Sequence, residues 1–449
     1  MSSFSTPAGR QEKPTEIYDN IDLEKIPSLE KPKQLSTSPR ATLAAACAIY
    51  FIYSGIMMSF GILQEHLLET GLTDLPTISL MGATSSAIPT LLGIPAGFVL
   101  QYLGPNKTAF IGGTLMGFGQ ILSGGFTHSV PGLFATQIIY GIGASLSYIT
   151  VASASQYCFP HKSSLSSGLV FGSGGLGAAT MALSMDAMIK AFGISTTLYA
   201  LGSFVGAVCI AASLVMNFPP REKANDKRKG HGWSALFTNN SYCLILATTL
   251  VGNFATMVPP NMLPLSALRM SEGPNIPGSV YVAIFNIASA ISRILVGFIA
   301  DRYARPTTCL LSGLWIGGLS MLLMWPFATT TALLITFTII SGAATGVFFS
   351  LLPTATNEVC QPLEHRDPRA LSIVTTLYAP GYFFGPPIAS VILEWSDKTN
   401  THWDPVAHLG PVGWYAGGLM LVSTIPLGVI ILLRRKAQVP VRITIKYEV

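Results

Sequence analysis

Long uninterrupted apolar runs are the feature of this sequence that most restricts its fold. A window of about 19 residues finds twelve of them, and about 20 residues of helix cross the hydrocarbon core of a bilayer. The runs are continuous, whereas the strands of a membrane β-barrel alternate apolar with polar residues. Only 10% of the chain is charged, so we predict an all-α polytopic membrane protein. The predicted spans are 42–64, 77–102, 107–127, 131–156, 164–189, 194–217, 238–263, 278–300, 307–328, 330–354, 370–393 and 411–433.

The charges on the loops predict how the chain is oriented. If the N-terminus is cytosolic, sixteen lysines and arginines of the loops and the C-terminal tail fall on the cytosolic side. The opposite side holds three, Lys190, Arg269 and Lys398. Because positive charge is enriched in cytoplasmic loops, both termini are predicted to face the cytosol. We expect the plasma membrane, with a vacuolar or other organelle membrane as the alternative.

A polar, basic segment divides the spans into two groups of six. It has the sequence PPREKANDKRKGHG at residues 219–232, and its charges fit a cytosolic loop, with a DNA- or lipid-binding patch as the alternative. We predict no nucleic-acid partner. The lipid bilayer is the expected surrounding of the spans. The predicted organisation is a disordered N-terminal tail at 1–40, six-helix halves at 41–217 and 237–433, a basic linker at 218–236 and a C-terminal tail at 434–449.

The two halves carry related sequences. GFVLQYLGPNKTAFIGGTLMG begins at Gly97, and GFIADRYARPTTCLLSGLWIG begins 200 residues later at Gly297. Two six-helix pseudo-repeats related by an axis along the membrane normal are typical of transporters that rock about a site between the halves. The identical pairs are Gly97 and Gly297, Phe98 and Phe298, Gly113 and Gly313, and Gly117 and Gly317.

No motif of an enzyme, a cofactor site or a metal site is present in the sequence. The six cysteines are far apart and form no CxxC pair. The GSGGLG stretch at 172–177 lies in an apolar span, without the preceding strand that a dinucleotide site needs. No HExxH, GxSxG or Walker pattern occurs. We therefore predict a protein that is not an enzyme and uses no cofactor and no metal.

Arg293 stands alone in an apolar span. From Val280 to Ala300 no other residue is charged, and an arginine at the centre of a bilayer costs about 2.5–3.5 kcal/mol on insertion scales. Asn286, Ser289 and Arg293 lie on one stripe of a helix, at i, i+3 and i+7. A guanidinium matches a carboxylate through two parallel hydrogen bonds, so we predict that this stripe binds an organic anion. The alternative is a structural arginine bound to carbonyls or hydroxyls of a neighbouring span.

Other polar side chains within the spans are candidates for the walls of a binding site. Taken singly, each is also typical of packed helix contacts. Asp186 lies near the outer end of span five, four residues before Lys190. That spacing predicts a surface ion pair, with a proton-carrying role as the alternative. The candidate wall residues are Tyr50, Tyr53 and Ser59 in span one, Asn253 in span seven, and Tyr378 and Tyr382 in span eleven.

Several stretches resemble one family of membrane transporters. The segment GFIADRYARP resembles the loop signature of the major facilitator superfamily, a glycine followed by the pair Asp301 and Arg302 and by a further arginine, Arg305. Four stretches are similar to the monocarboxylate-transporter-like branch, especially its fungal members. They are SFGILQEHLLE (59–69), SQYCFPHKSSLSSGLVFGSGGLG (155–177), NIASAISRILVGFIADRY (286–303) and GVFFSLLP (346–353).

The resemblance implies the major facilitator fold, with twelve transmembrane helices and alternating access to an organic anion or related metabolite. The carboxylate-binding arginine of the family corresponds to Arg293, and the signature implies gating roles for Asp301, Arg302 and Arg305. Members of the family are often proton-coupled. This chain has Ser289 where animal carriers have an aspartate, and it has no lysine in span one, which leaves proton coupling open.

Three functions are consistent with these features. The first is a secondary transporter of a small organic acid or a carboxylated metabolite, with protons as a second partner where coupling exists. The second is an efflux transporter of a larger fungal secondary metabolite. The third is a nutrient sensor that carries little solute. Sensors of this shape often have long cytosolic extensions, and tails of about 40 and 16 residues disfavour that reading.

Overall fold

The computed structural model describes residues 38–158, 163–217, 237–268, 276–359, 373–399 and 405–436, and none of these residues lies in a strand. The helices in chain order are Pro39–Met58, Phe60–Glu69, Leu75–Leu91, Gly93–Leu103, Pro105–Gly125, Val130–Tyr157, Ser163–Val215, Asn240–Thr256, Val258–Leu268, Gly278–Arg302, Pro306–Leu323, Thr331–Val359, Tyr378–Thr399, Pro405–Val422 and Thr424–Lys436.

These helices form the twelve predicted spans. Eight segments of the described chain are long and apolar enough to cross a membrane, and a ninth is the pair Leu75–Leu91 and Gly93–Leu103, which is bent by 54°. One of the eight, Gly168–Val215, has 48 residues and contains spans five and six. Pro105–Gly125 and Tyr378–Thr399 are spans three and eleven.

Local sequence explains where the spans begin and break. Span one begins at Pro39, and the side chain of Ser38 caps it by accepting a hydrogen bond from the Ala41 amide. Span five ends at Gly193, whose φ of 79° and ψ of 166° suit glycine and are not helical. The first helix of span seven ends just before Met257, and two consecutive prolines follow at 259 and 260.

The two halves repeat the same contacts between helices. Span three packs on spans four and six, and span nine packs on spans ten and twelve. Two of the repeated pairs, Gly113 with Gly313 and Gly117 with Gly317, lie in these interfaces, although not in identical positions. Gly117 faces Gly206 of span six, whereas its counterpart Gly317 faces Ala344 of span ten. The pseudo-repeat is therefore preserved in the arrangement of helices more closely than in their individual contacts.

The halves meet mainly along spans five and eight and along spans two and eleven, and the second helix of span one also contacts the second helix of span seven. Gly175 of span five lies so close to span eight that a Cβ atom added to it would be 2.6 Å from the Cβ of Ala290. We call the end of the bundle that holds residues 217 and 237 the linker end. The opposite end, which holds Glu69 and Leu75, is called the far end.

Some predicted boundaries move. The first helix begins at Pro39 and the last ends at Lys436, whereas the helical halves were predicted to begin at 41 and end at 433. Span eleven extends to Thr399, beyond the predicted end at 393. The prediction followed hydropathy, which does not detect the polar last turn of the helix. The predicted linker 218–236 lies outside the described residues, as do most of the predicted tails 1–40 and 434–449.

Candidate functional site

Arg293 lies at the interface between the halves. Its side chain is buried, with 8% of the residue exposed, and Nη1 donates a hydrogen bond of 2.9 Å to the carbonyl oxygen of Phe171 in span five. The guanidinium carbon lies 5.4 Å from the ring centroid of Phe349 in span ten, within the range of a cation–π contact. The Tyr50 hydroxyl of span one also faces the guanidinium. Side chains of both halves therefore surround the cation.

Seven aromatic side chains surround this position, and we call them the aromatic group. Neighbouring rings within each half lie between 5.1 and 6.5 Å apart, centroid to centroid. The two halves approach each other where Tyr378 comes close to Tyr148 and Tyr50. The group consists of Tyr50, Tyr53, Tyr148 and Phe171 from the first half and Phe349, Tyr378 and Tyr382 from the second.

Asn286 and Ser289 are buried on the same helix as Arg293, but neither is hydrogen-bonded to it among the described residues. The Asn286 amide donates to the carbonyl oxygen of Val282, in its own helix, at 2.9 Å. The Ser289 hydroxyl has no partner among the described residues. The direct contacts of the guanidinium come from other spans, because an arginine side chain is long enough to reach them.

Asn253 lies beside span eleven. Its Nδ2 donates to the carbonyl oxygen of Thr249 at 2.7 Å, and a Cβ atom added to Gly381 would be 2.5 Å from the Asn253 Cβ. Gly381 precedes Tyr382 directly and follows Tyr378 by about one helical turn. Asn253 therefore packs on span eleven at the level of these two tyrosines. Tyr53 and Tyr378, the other predicted site residues, both belong to the aromatic group. Roles of these residues in substrate binding stay predictions.

Among the described residues, the buried polar atoms without a hydrogen-bond partner include four on spans seven, eight and ten. Arg293 Nε is a donor, Asn253 Oδ1 is an acceptor, and the hydroxyls of Ser289 and Thr345 can act as either. A buried polar atom without a partner costs about 1–3 kcal/mol. An anion that carries hydrogen-bonding groups would provide partners for such atoms, and its negative charge would pair with the Arg293 guanidinium.

The residues predicted to gate the linker end lie at the end of span eight. Arg302 and Arg305 are both exposed. The guanidinium carbon of Arg302 lies 6.0 Å from the ring centroids of Phe298 and Tyr303. The side chain of Asp301 is outside the described part of the chain. The gating role of these three residues stays a prediction.

Asp186 forms the predicted ion pair with Lys190, at 3.0 Å between Nζ and Oδ2, but the prediction that it is a surface pair was wrong. Asp186 is buried, because span eight and the end of span one cover it. Its Oδ2 also accepts a hydrogen bond of 2.6 Å from Ser279, and Oδ1 faces His66 Nε2 at 3.1 Å. The carboxylate is therefore part of the contact between the halves.

Sequence reasoning missed several residues that the structure brings to these two places. Tyr148, Phe171 and Phe349 each occur in spans as ordinary apolar residues, and nothing in the local pattern shows which way they face. His66 had a visible signal, because it stands between Glu65 and Glu69 at the end of a span. Ionisable residues within or next to a span are usually functional or paired, and this histidine met that criterion.

Two six-span halves with a buried cation at their interface define a membrane transporter. A sequence model of the Major Facilitator Superfamily matches residues 42–303 and 271–445, and the chain belongs to that superfamily. The crystal structure of the nucleoside transporter NupG has the same fold, with a TM-score of 0.67 and 14% identity over 87% of this chain and 99% of that one. The predicted fold class is confirmed.

Curated relatives include both kinds of transporter that the sequence suggested. The Fujikurins efflux protein of Gibberella fujikuroi is 24% identical over 72% of this chain and 70% of its own length. Monocarboxylate transporter 12 of Xenopus laevis is 24% identical over 68% of this chain and 72% of its own length. These matches confirm the resemblance to monocarboxylate-transporter-like proteins, including fungal members. They also confirm a multi-pass membrane protein.

Proposed function

We propose that this protein carries a small organic acid or a carboxylated metabolite across a membrane by alternating access, with Arg293 binding the carboxylate. The observation that carries the proposal is the buried guanidinium between the halves. Only one of its hydrogen bonds is to the protein backbone, from Nη1 to Phe171, and Nε has no partner among the described residues. A guanidinium has five N–H donors, so its capacity for an anion is retained.

The charge balance around Arg293 supports an anionic substrate. Its neighbours are a backbone carbonyl, a tyrosine hydroxyl and an aromatic ring, and no carboxylate forms an ion pair with it in the described chain. A charge buried at membrane depth is strongly favoured by a counter-ion. A substrate carboxylate would supply that counter-ion and would accept two parallel hydrogen bonds.

The aromatic group supports a substrate with a flat or apolar body next to its carboxylate. Tyr50, Tyr148, Phe171 and Phe349 are partly exposed residues, and we propose that a ligand that approaches Arg293 contacts them. Tyrosine offers both ring surface and a hydroxyl. Because these rings come from spans one, four, five and ten, a ligand between them would contact both halves, which is what alternating access requires.

Counterflow in proteoliposomes tests the proposal. Radiolabelled pyruvate and benzoate would be offered as an aliphatic and an aromatic acid, each in competition with its own amide. We expect the acids to exchange and the amides to compete poorly, because an amide lacks the charge that Arg293 requires. Arg293→Lys should weaken acid binding by about tenfold to a hundredfold, since it loses a bidentate contact.

The exposed Arg40 provides the matched control. Arg40→Lys should leave exchange at the wild-type level, because that residue lies at the start of span one and outside the interface. Amides that compete as well as acids, or an Arg293→Lys protein that exchanges them normally, would contradict the proposal.

A second candidate function is efflux of a larger metabolite. The similarity to the Fujikurins efflux protein favours it, and so does the size of the aromatic group, which exceeds what a three-carbon acid can contact. Transport into inside-out vesicles, compared with right-side-out vesicles, separates the two directions. The plasma membrane is the proposed location, and a fluorescent fusion tests it.

A further inference from the structure

A second cluster of ionisable residues lies at the far end of the bundle, away from Arg293. Asp186 of span five accepts a hydrogen bond of 2.6 Å from Ser279 of span eight, and this bond joins the two halves. A Cβ atom added to Gly278 would lie 3.0 Å from Glu65 Oε2 of span one, so the halves are also in close contact beside that bond. The far end is closed around the cluster.

The imidazole of His66 lies between two carboxylates. Its Nε2 faces Asp186 Oδ1 and its Nδ1 faces Glu69 Oε2, both at 3.1 Å. A neutral imidazole has one N–H donor, and its other nitrogen is an acceptor. Two ionised carboxylates, one at each nitrogen, both accept a hydrogen bond from the ring only when it carries a second proton. This geometry is that of an imidazolium between two acceptors.

We propose that His66 and Asp186 form a proton-binding site, and that the far end of the bundle closes with a proton bound there. The ligand is the proton. The inference concerns how the far end closes, and it holds whichever solute the protein carries. The proposed proton site is separate from Ser289, the position at which animal carriers have an aspartate and this chain does not.

The charges around His66 favour proton uptake on closure. Within the described residues, its own helix contributes Glu65 and Glu69, and span five contributes Asp186 and Lys190. The parts of spans two, seven and eight that pack here contribute the Ser279 hydroxyl and no charged side chain. Three carboxylates against one lysine leave two negative charges in excess, and a proton on the imidazole reduces the excess to one.

The coupling to movement follows from exposure. His66 is 9% exposed and Asp186 is 8% exposed when the far end is closed. Opening would admit water between the halves, which screens the excess negative charge and weakens its attraction for a proton. A state that binds a proton more tightly is favoured as the pH falls. Acid should therefore favour closure of the far end, and loss of the proton should favour its opening.

A cross-link between spans two and eleven measures closure without any substrate. The hydroxyls of Ser79 and Ser390 are in hydrogen-bond contact across the two halves, and neither residue belongs to the cluster. A protein with Ser79→Cys and Ser390→Cys, its native cysteines replaced by alanine and a protease site placed in 219–232, would be oxidised at pH 5.5 and 8.5. After cleavage of the linker, the two halves run together on a non-reducing gel only if the disulfide has formed. The fraction of joined halves at successive times gives the cross-linking rate.

The deciding pair of variants is Glu69→Gln and Glu394→Gln. The Glu69 side chain is 60% exposed, and its amide would donate to a neutral His66, so closure would no longer need the proton. Glu394 is in a surface pair with Lys398 on span eleven and is the matched control. The thiols are identical in all proteins, so their own pH dependence cancels in the comparison.

For each protein, the measured quantity is the cross-linking rate at pH 5.5 divided by the cross-linking rate at pH 8.5. We expect this ratio to be at least about threefold higher in the parent and in Glu394→Gln than in Glu69→Gln. His66→Gln should resemble Glu69→Gln. Equal ratios in the parent and Glu69→Gln would overturn the proton site, even if acid transport by Arg293 is intact. If His66→Gln does not fold, Glu69→Gln alone decides.

Discussion

Nη1 of Arg293 donates a hydrogen bond of 2.9 Å to the main-chain carbonyl of Phe171, so that a side chain of span eight is held by the backbone of span five. The acceptor is a carbonyl, which does not neutralise the guanidinium. The bond exists only where spans five and eight are in contact. The position of the cation is thereby linked to the packing of one half against the other.

That packing depends on Gly175. A Cβ atom at this position would be 2.6 Å from the Ala290 Cβ and 3.0 Å from the Asn286 carbonyl oxygen, and neither atom can move without its helix. We expect Gly175→Val to cost about 1–3 kcal/mol and to lower the melting temperature in detergent. Gly172→Val is the control, since a Cβ there meets no atom within 4 Å. Equal melting temperatures for the two variants would show that the interface adapts.

Asp74 caps the helix that begins at Leu75. Hydrogen bonds from Thr77 and Thr73 lower the pKa of the Asp74 carboxyl, so the ionised form is the stabilising one. Its contribution should be present above the unfolded-state pKa of about 3.9 and be lost as the pH falls through the lower folded-state value. Asp74→Ala should cost about 1 kcal/mol at pH 7. Asp74→Asn, which keeps the acceptor, should cost less and lose the part of the pH dependence of thermal unfolding that Asp74 contributes.

Glu358 joins three spans at the linker end. Its carboxylate accepts from Arg434 Nη1 of span twelve and from the Thr307 amide of span nine, the latter at 3.1 Å. Because Glu358 is largely buried, a double-mutant cycle of Glu358→Gln and Arg434→Gln should give a coupling energy of about 1–3 kcal/mol. The same cycle on the exposed pair of Glu394 and Lys398 should give no measurable coupling. Similar values for both pairs would mean that burial does not strengthen the first.

Orientation is tested with tags. The loop charges place both termini and the 219–232 segment in the cytosol. Tags at the two ends should therefore survive protease added to intact cells and be cleaved after permeabilisation. A tag cut in intact cells would reverse the assignment of the linker end to the cytosol.

Much of the fold could be predicted because a bilayer leaves few choices. An apolar run of about 20 residues must form a helix in lipid, and the offset of 200 residues between related glycines indicated two halves. Helix ends were less predictable. The polar last turn of span eleven is helical to Thr399, and such a turn carries no hydropathy signal.

The site was predictable only where charge marked it. Arg293 could be identified because an isolated charge in an apolar span requires a reason. Its contacts could not, since the Phe171 carbonyl and the Phe349 ring lie in other spans. Asp186 was predicted to pair with Lys190, and it does, but burial beneath Ser279 depends on how the two halves meet.

The proposed carboxylate site is tested most directly by measuring folding and binding together in Arg293→Ala. Removal of a costly buried charge should leave the protein folded, with a melting temperature equal to or above that of the wild type. Binding of benzoate or pyruvate, whichever the wild type exchanges, should be almost completely lost. Normal binding in a folded Arg293→Ala protein, or loss of expression that Arg40→Ala does not share, would contradict the carboxylate-binding role and indicate a structural arginine.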